Sequence, residues 1–342
     1  LVPRPAKAED AAMLPPPPPF RPLPLLGGPR AQTLLGALPR PGLSGFAHRA
    51  FERRFRLPDG GRLIAREHRR GGRPLVVILH GLTGDSEAGY ALGLARALFD
   101  AGFDALRLNA RGALGSEAES GGLHHAARSD DLLEVLRQLE GEAPALYVAG
   151  FSLGGSIALR MISQAAERLP GRLGGLFAVS PPLDLAACAE RLRHGGFNRI
   201  LTGRFLRAFA RSLGRQPNLP ALGIRPAEVA RLGSVLEFDR RVTAPANGYP
   251  SVEAYYRDAS PLTHIAGARL PGLILHALDD PLVDPAGLED PRLLARANLV
   301  IEALPRGGHV GFVAAGRIRA RRRYAETRAL AWFKALEARR PG

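Results

Sequence analysis

After residue 50 short, continuous apolar runs recur in a regular rhythm: PLVVILH (74–80), DALRLNA (104–110), ALYVAGF (145–151), GLFAVSP (175–181), GLILHAL (272–278) and NLVIEAL (298–304). A strand with one wet face alternates apolar and polar side chains, whereas an unbroken run suits a strand covered on both faces. Between most of these runs lie segments with apolar residues at helical spacing, EAGYALGLARALFDAG, SDDLLEVLRQLEG and SIALRMISQAAERL. Ser129 stands where it could cap the second, and Asp130 and Asp131 complement the positive end of its dipole. Strand and helix in alternation predict an α/β chain with a mostly parallel, doubly wound sheet.

Two segments break the rhythm. Residues 1–24 are proline-rich, with five prolines from Pro15 to Pro19, and read as an extended arm. Between the runs ending near Pro181 and starting near Gly272 lie roughly 90 residues without a clear strand, too many for a connection. This interval, 184–262, carries helix-like pieces and the aromatic patch NGYPSVEAYYRDASPL. Ligands bind beyond the C-terminal ends of the strands in such sheets, so the interval is expected to be a helical cap there. The division expected is an arm at 1–24, a core at 25–183, the cap at 184–262 and a return to the core at 263–342.

Composition sets limits without choosing a function. The chain has 342 residues, 46% hydrophobic and 23% charged, as in ordinary globular proteins. No run approaches about 18 consecutive apolar residues, so no membrane-spanning helix is expected. A single cysteine, Cys188, excludes an intrachain disulfide framework, and with no leader-like pattern at the start a cytoplasmic location is expected. The formal charge of +15 raises the prospect of a nucleic-acid partner. All but two of the 47 cationic residues are arginine, however, and they are scattered among 40 glycines and 30 prolines. Only RIRARRRYAETR (317–328) is dense, and it leads into the helical pattern YAETRALAWFKALEARR, so it reads as a solvated helix face. No nucleic-acid partner is expected.

The chemistry starts at GFSLGG (150–155), which follows one apolar run and precedes a helical one. A serine between glycines at such a junction is the pattern of a nucleophile elbow, with Gly150 and Gly154 sparing collisions at a sharp turn. Serine needs a base, and the base needs an acid to hold it. ALDDPLV places Asp279 and Asp280 just after a later strand, and GGHVGF places His309 in a glycine-flanked loop after the next. Asp280, directly before a proline, is favoured over Asp279, and Asp284 is a distant third. His124, His125, His264 and His276 all lack the position of His309 after the last strand. The oxyanion donors expected are the backbone N–H groups of Leu153 and of Leu82, the latter in LHGLTG (79–84).

Other motifs carry less. HHAARSDD (124–131) fits no zinc spacing and reads as a loop leading into a helix, and RGALGSEAESGG (111–122) lacks the lysine and hydroxyl residue of a P-loop. Cys188 has no histidine partner nearby in sequence and reads as a buried small residue. No metal or cofactor is implied.

Taken together, GGPRAQTLLG, LHGLTGDS, LNARGALGS, GFSLGG, EFDRRVTAPANGYPSVEAYYRDAS, ALDDPLV and GGHVGF resemble the α/β-hydrolase superfamily, and within it the YheT-like branch of serine esterases and its eukaryotic ABHD-type members. The likeness runs from about residue 20 to 335. It implies the α/β-hydrolase fold, a Ser152, Asp280, His309 triad and cofactor-free hydrolysis of carboxylic esters or acylglycerols, with YYRDAS at the join between cap and core. It departs where the branch usually has a histidine before the Gln-Thr pair: here Arg30 and Ala31 precede Gln32 and Thr33. Two rival readings stand beside it, an acyltransferase on the same triad and a non-catalytic hydrolase scaffold binding an anionic partner. Apolar residues in FNRILTGRFLRAFA point to an acyl chain in the pocket. Peripheral contact with a membrane surface is a further expectation, beside an ester or acylglycerol as the small-molecule substrate.

Overall fold

In a computed structural model, described for residues 16–113, 115–216, 224–315 and 323–340, the strands form one eight-stranded sheet. These are β1 (Phe51–Arg56), β2 (Arg62–His68), β3 (Leu75–Leu79), β4 (Asp104–Leu108), β5 (Leu146–Phe151), β6 (Leu173–Val179), β7 (Gly272–Ala277) and β8 (Leu299–Leu304). Their order across the sheet is β1-β2-β4-β3-β5-β6-β7-β8. From β4 through β8 neighbours run parallel, while β2 is antiparallel to both β1 and β4. The mostly parallel α/β sheet expected from the apolar runs is borne out.

The runs are continuous because successive residues serve different cores. In β3, Leu75, Val77 and Leu79 pack into one apolar layer, and Val76 and Ile78 into the layer on the opposite face. In β5, Leu146 and Val148 divide from Tyr147, Ala149 and Phe151 in the same way. The first layer is closed by α3 (Ser129–Leu139) and α4 (Leu153–Gln164), the second by α2 (Gly89–Asp100) and α8 (Tyr324–Glu337). Before the sheet, α1 (Pro29–Ala37) lies against the segment following β8. Between β6 and β7 come α5 (Leu185–Arg193), α6 (Gly196–Gly214) and α7 (Val252–Ala259), with shorter turns between them. Among the described residues no helix is long and apolar enough to cross a membrane.

The sequence pattern missed β1 and β2. Only Phe55 of β1 is buried; the rest of FERRFR is partly or fully exposed. β2 buries Leu63, Ile64 and Ala65, and on the wet face Arg66 meets Glu52, its register partner, at 3.1 Å, while Arg53 donates to Glu142 at 2.8 Å. The signal that could have found them is the PDGG turn, where Gly60 takes φ +86° and Asp59 accepts from the Gly61 N–H at 3.0 Å.

Two helical expectations are corrected. Ser129 is the first residue of α3 rather than its cap, because its hydroxyl is taken by the buried guanidinium of Arg160. The arginine-dense stretch lies outside the described residues over 316–322, but the part that follows is not a solvated face. Arg323 and Arg328 are buried, the first against the carbonyls of Gly36 and Leu35, the second against Glu302 at 2.9 Å. Each is accommodated because acceptors wait inside.

Candidate active site

Ser152 is the single residue between β5 and α4, with φ 52° and ψ −122°. A residue with a side chain rarely adopts this conformation, and it persists where the surroundings over-determine it. Here they do. The Ser152 N–H donates to the Val179 carbonyl at 2.8 Å, and its own carbonyl accepts from Gly155 at 2.9 Å. A Cβ on Gly154 would stand 2.5 Å from the His80 carbonyl oxygen and 2.8 Å from the Leu79 Cβ. The glycine lets the start of α4 press against the end of β3, which turns the serine hydroxyl outward.

His309 follows β8 in the Gly307–Gly308 loop, and its imidazole lies between the serine and an acid. Its Nε2 is 2.8 Å from Ser152 Oγ, and its Nδ1 is 2.8 Å from Asp280 Oδ2. Asp280 is fully buried after β7. Its other oxygen accepts from the backbone N–H groups of Leu282 at 2.8 Å and Val283 at 3.0 Å. Burial pushes this carboxyl upward, but attraction to His309 and the hydrogen bonds outweigh it and hold the group below the usual aspartate range.

The structure separates Asp280 from its neighbours. Asp279 turns to the loop and accepts from the Gly308 N–H at 2.9 Å. Asp284 caps a short turn through the Ala286 N–H and receives Arg191 at 3.0 Å. Among the other histidines, His264 pairs with Asp258, and His276 is buried within β7. The structure brings none of these to Ser152.

The loop after β3 is pinned by His80. This buried ring donates from Nδ1 to the Gly81 carbonyl at 2.8 Å and accepts at Nε2 from the Ala110 N–H at 3.0 Å. Burial lowers its pKa, in keeping with a neutral ring that donates on one side and accepts on the other. The Gly81 N–H donates to the Tyr90 hydroxyl at 3.0 Å, and Thr83 takes φ 56°. Leu82, between them, lines the same cavity as Ser152, Leu153 and His309. Leu153 opens α4, where helix geometry leaves the first N–H groups without intrahelical partners.

That cavity is a partly open chamber with Ser152 and His309 in its lining. Its walls are mostly apolar and come largely from the β6–β7 interval, among them Leu185, Leu192, Phe205, Phe209 and Phe238. Cys188 is in the wall, its thiol pushed up to about 12 by burial, which leaves it protonated and unreactive at neutral pH. Sequence reasoning set His124 and His125 aside as loop residues and missed Asp239, yet all three line the cavity. Asp239 accepts from Thr243 Oγ1 at 2.6 Å and from the Tyr256 hydroxyl at 2.8 Å, and burial raises its carboxyl to about 6. No spacing signal marked it, because its partners lie 4 and 17 residues away.

Two arginines tie the β6–β7 interval to the core. Arg160 of α4 donates to the Asp258 carboxylate at 2.9 Å and to the Ala127 carbonyl at 3.0 Å, so YYRDAS meets the helix that begins at the elbow. Arg191 of α5 donates to the Asp280 carbonyl at 2.9 Å as well as to Asp284, and Asn198 of α6 reaches the Pro281 carbonyl at 3.0 Å.

Comparison with known proteins is consistent with this arrangement. A sequence profile described as alpha/beta hydrolase fold matches residues 74–313. The chain is 31% identical over 248 residues to YheT of Escherichia coli (strain K12), whose name carries a provisional esterase assignment; the match covers 70% of this chain and 71% of that protein. It is 28% identical over 256 residues to a monoacylglycerol lipase of Saccharomyces cerevisiae, covering 70% of this chain but 55% of the yeast protein. Among solved structures, the Pyrococcus furiosus esterase Pf2001 superposes with a TM-score of 0.54 at 16% identity, over 83% of this chain and 92% of that one.

Proposed function

Because the chain belongs to the α/β-hydrolase fold family, on the YheT side of it, we propose that it hydrolyses carboxylic esters through an acyl-enzyme formed on Ser152. The single observation that carries this reading is the imidazole of His309 standing 2.8 Å from both the Ser152 hydroxyl and the Asp280 carboxylate. His309 Nε2 takes the hydroxyl proton as Oγ attacks the ester carbonyl, and Asp280 stabilises the imidazolium that results. The tetrahedral oxyanion accepts from the Leu82 and Leu153 N–H groups. As it collapses, the C–O bond to the alcohol breaks and His309 returns the proton to the departing oxygen. Water then repeats the sequence and releases the acid. The Leu82 and Leu153 donors are worth about 100- to 1000-fold each in rate by analogy with other oxyanion sites.

The apolar cavity supports an acyl chain as the group held beside Ser152. The test is a panel of p-nitrophenyl esters and acylglycerols run on wild type and Ser152→Ala, with fluorophosphonate labelling in parallel. Turnover and labelling are expected in wild type and in Ser156→Ala, whose hydroxyl is buried against the Pro182 carbonyl at 2.6 Å. Both are expected to vanish in Ser152→Ala. Labelling that survives Ser152→Ala would overturn the assignment.

A further inference from the structure

The Gln-Thr pair of GGPRAQTLLG has no part in the chemistry above, yet both side chains are buried. They are spent on the loop that carries His309. Thr33 Oγ1 accepts from the His309 backbone N–H at 2.9 Å and donates to the Pro29 carbonyl at 2.7 Å. The Gln32 amide pairs with Val313 as a neighbouring strand would: its Oε1 accepts from the Val313 N–H at 2.8 Å, and its Nε2 donates to the Val313 carbonyl at 3.3 Å. The same Nε2 donates to the Leu26 carbonyl at 3.0 Å.

Backbone meets backbone along this contact. A Cβ on Gly308 would stand 2.4 Å from the Pro29 carbonyl oxygen, and one on Gly311 would stand 2.4 Å from that of Gln32. The loop needs such support, because Val310 and Phe312 hold φ of 58° and 45° without the freedom of glycine. The supporting helix is itself anchored: Arg323 donates to the carbonyls of Gly36 at 2.7 Å and Leu35 at 3.2 Å, at the C-terminal end of α1. The brace therefore runs from the start of α8, through α1, to the backbone of His309.

We propose that Gln32 and Thr33 are positioning residues for His309, holding a strained loop so that its imidazole stays within reach of both Ser152 and Asp280. This rests on the reading of His309 as the general base. A displacement of about 1 Å at a reacting centre can cost on the order of 100-fold, so releasing the loop acts on the rate of the chemical step rather than on substrate binding.

The test compares Thr33→Val, which keeps shape and loses the acceptor, with Thr33→Ser, which restores it. Fluorophosphonate labelling per folded molecule and ester turnover are measured together with thermal melting. Thr33→Val is expected to lose roughly 10- to 100-fold in labelling rate and kcat with KM nearly unchanged, and Thr33→Ser to recover most of both. If Thr33→Val does not fold, Gln32→Met, which keeps volume and loses the pairing with Val313, is expected to show the same fall. A merely structural role would lower the melting temperature while the folded fraction reacted at the wild-type rate, and that result overturns the inference. Serine failing to rescue would also overturn it. Absence of labelling in wild type would remove the hydrolase reading and this inference with it, whereas normal labelling of both variants removes this inference alone.

Discussion

Gly150 and Gly154 face each other across the elbow so closely that a methyl group on Gly150 would lie 2.4 Å from the Gly154 carbonyl oxygen. The obstruction is backbone, which cannot rotate away as a side chain could. Gly150→Ala is therefore expected to destabilise the fold by about 1–3 kcal/mol, the usual range for overpacking. Activity in the molecules that fold should fall by about 100-fold as Ser152 is displaced. Thermal melting and fluorophosphonate labelling measure the two effects separately.

The paired aspartates should divide cleanly. Asp280→Asn leaves a neighbour of similar shape but no longer favours the His309 tautomer that accepts from Ser152, so kcat is expected to drop by about 10⁴-fold. Asp279→Asn keeps an oxygen for the Gly308 N–H and should cost less than about tenfold, the worth of one ordinary hydrogen bond. Steady-state kinetics on one ester suffice. Equal losses would contradict the geometry.

Asp239 makes stability depend on pH. Its carboxyl is raised to about 6 in the fold, from an ordinary value of 3.8. Between those values the folded chain holds a proton that the unfolded chain has released, so this group's contribution to stability falls as pH rises from about 4 to 6 and levels off above that. The loss is on the order of 2–3 kcal/mol. Asp239→Asn should abolish that slope, and its melting temperature relative to wild type should climb through this window and stay level above it. Melts at half-unit pH steps would show it.

The cavity predicts a chain-length preference. Each buried methylene contributes about 0.8 kcal/mol, so kcat/KM on p-nitrophenyl esters should rise up to about fourfold per added carbon until the space is filled. Ala189→Phe, in the wall, should penalise octanoate and spare acetate. A flat profile across chain length would remove the acyl-chain reading.

The parts legible in sequence are those with local signals. Continuous apolar runs marked the strands from β3 to β8, of which β3 to β7 are buried on both faces and β8 lies at the sheet edge with only Leu299 and Val300 buried, and strand-then-turn context singled out Ser152, Asp280 and His309 in chain order. The expectation for Leu82 came the same way, from its loop after β3. What stayed hidden depends on contacts distant in sequence. β1 exposes all but Phe55 and meets β2 partly through the Arg66–Glu52 pair, so it carries no continuous apolar run to mark it. Asp239 reaches the cavity only once α7 has packed beside it. The clamp of Gln32 on Val313 spans 281 residues, a relation no local pattern can express.

The double grip of Arg191 has a mechanical consequence. One guanidinium holds both the carbonyl of Asp280 and the carboxylate of Asp284, and Asn198 fastens the next helix to the adjoining carbonyl of Pro281. The roof of the chamber is thus riveted to its floor beside the acid. Prying it up from that corner would tug on the residue that steadies the imidazole.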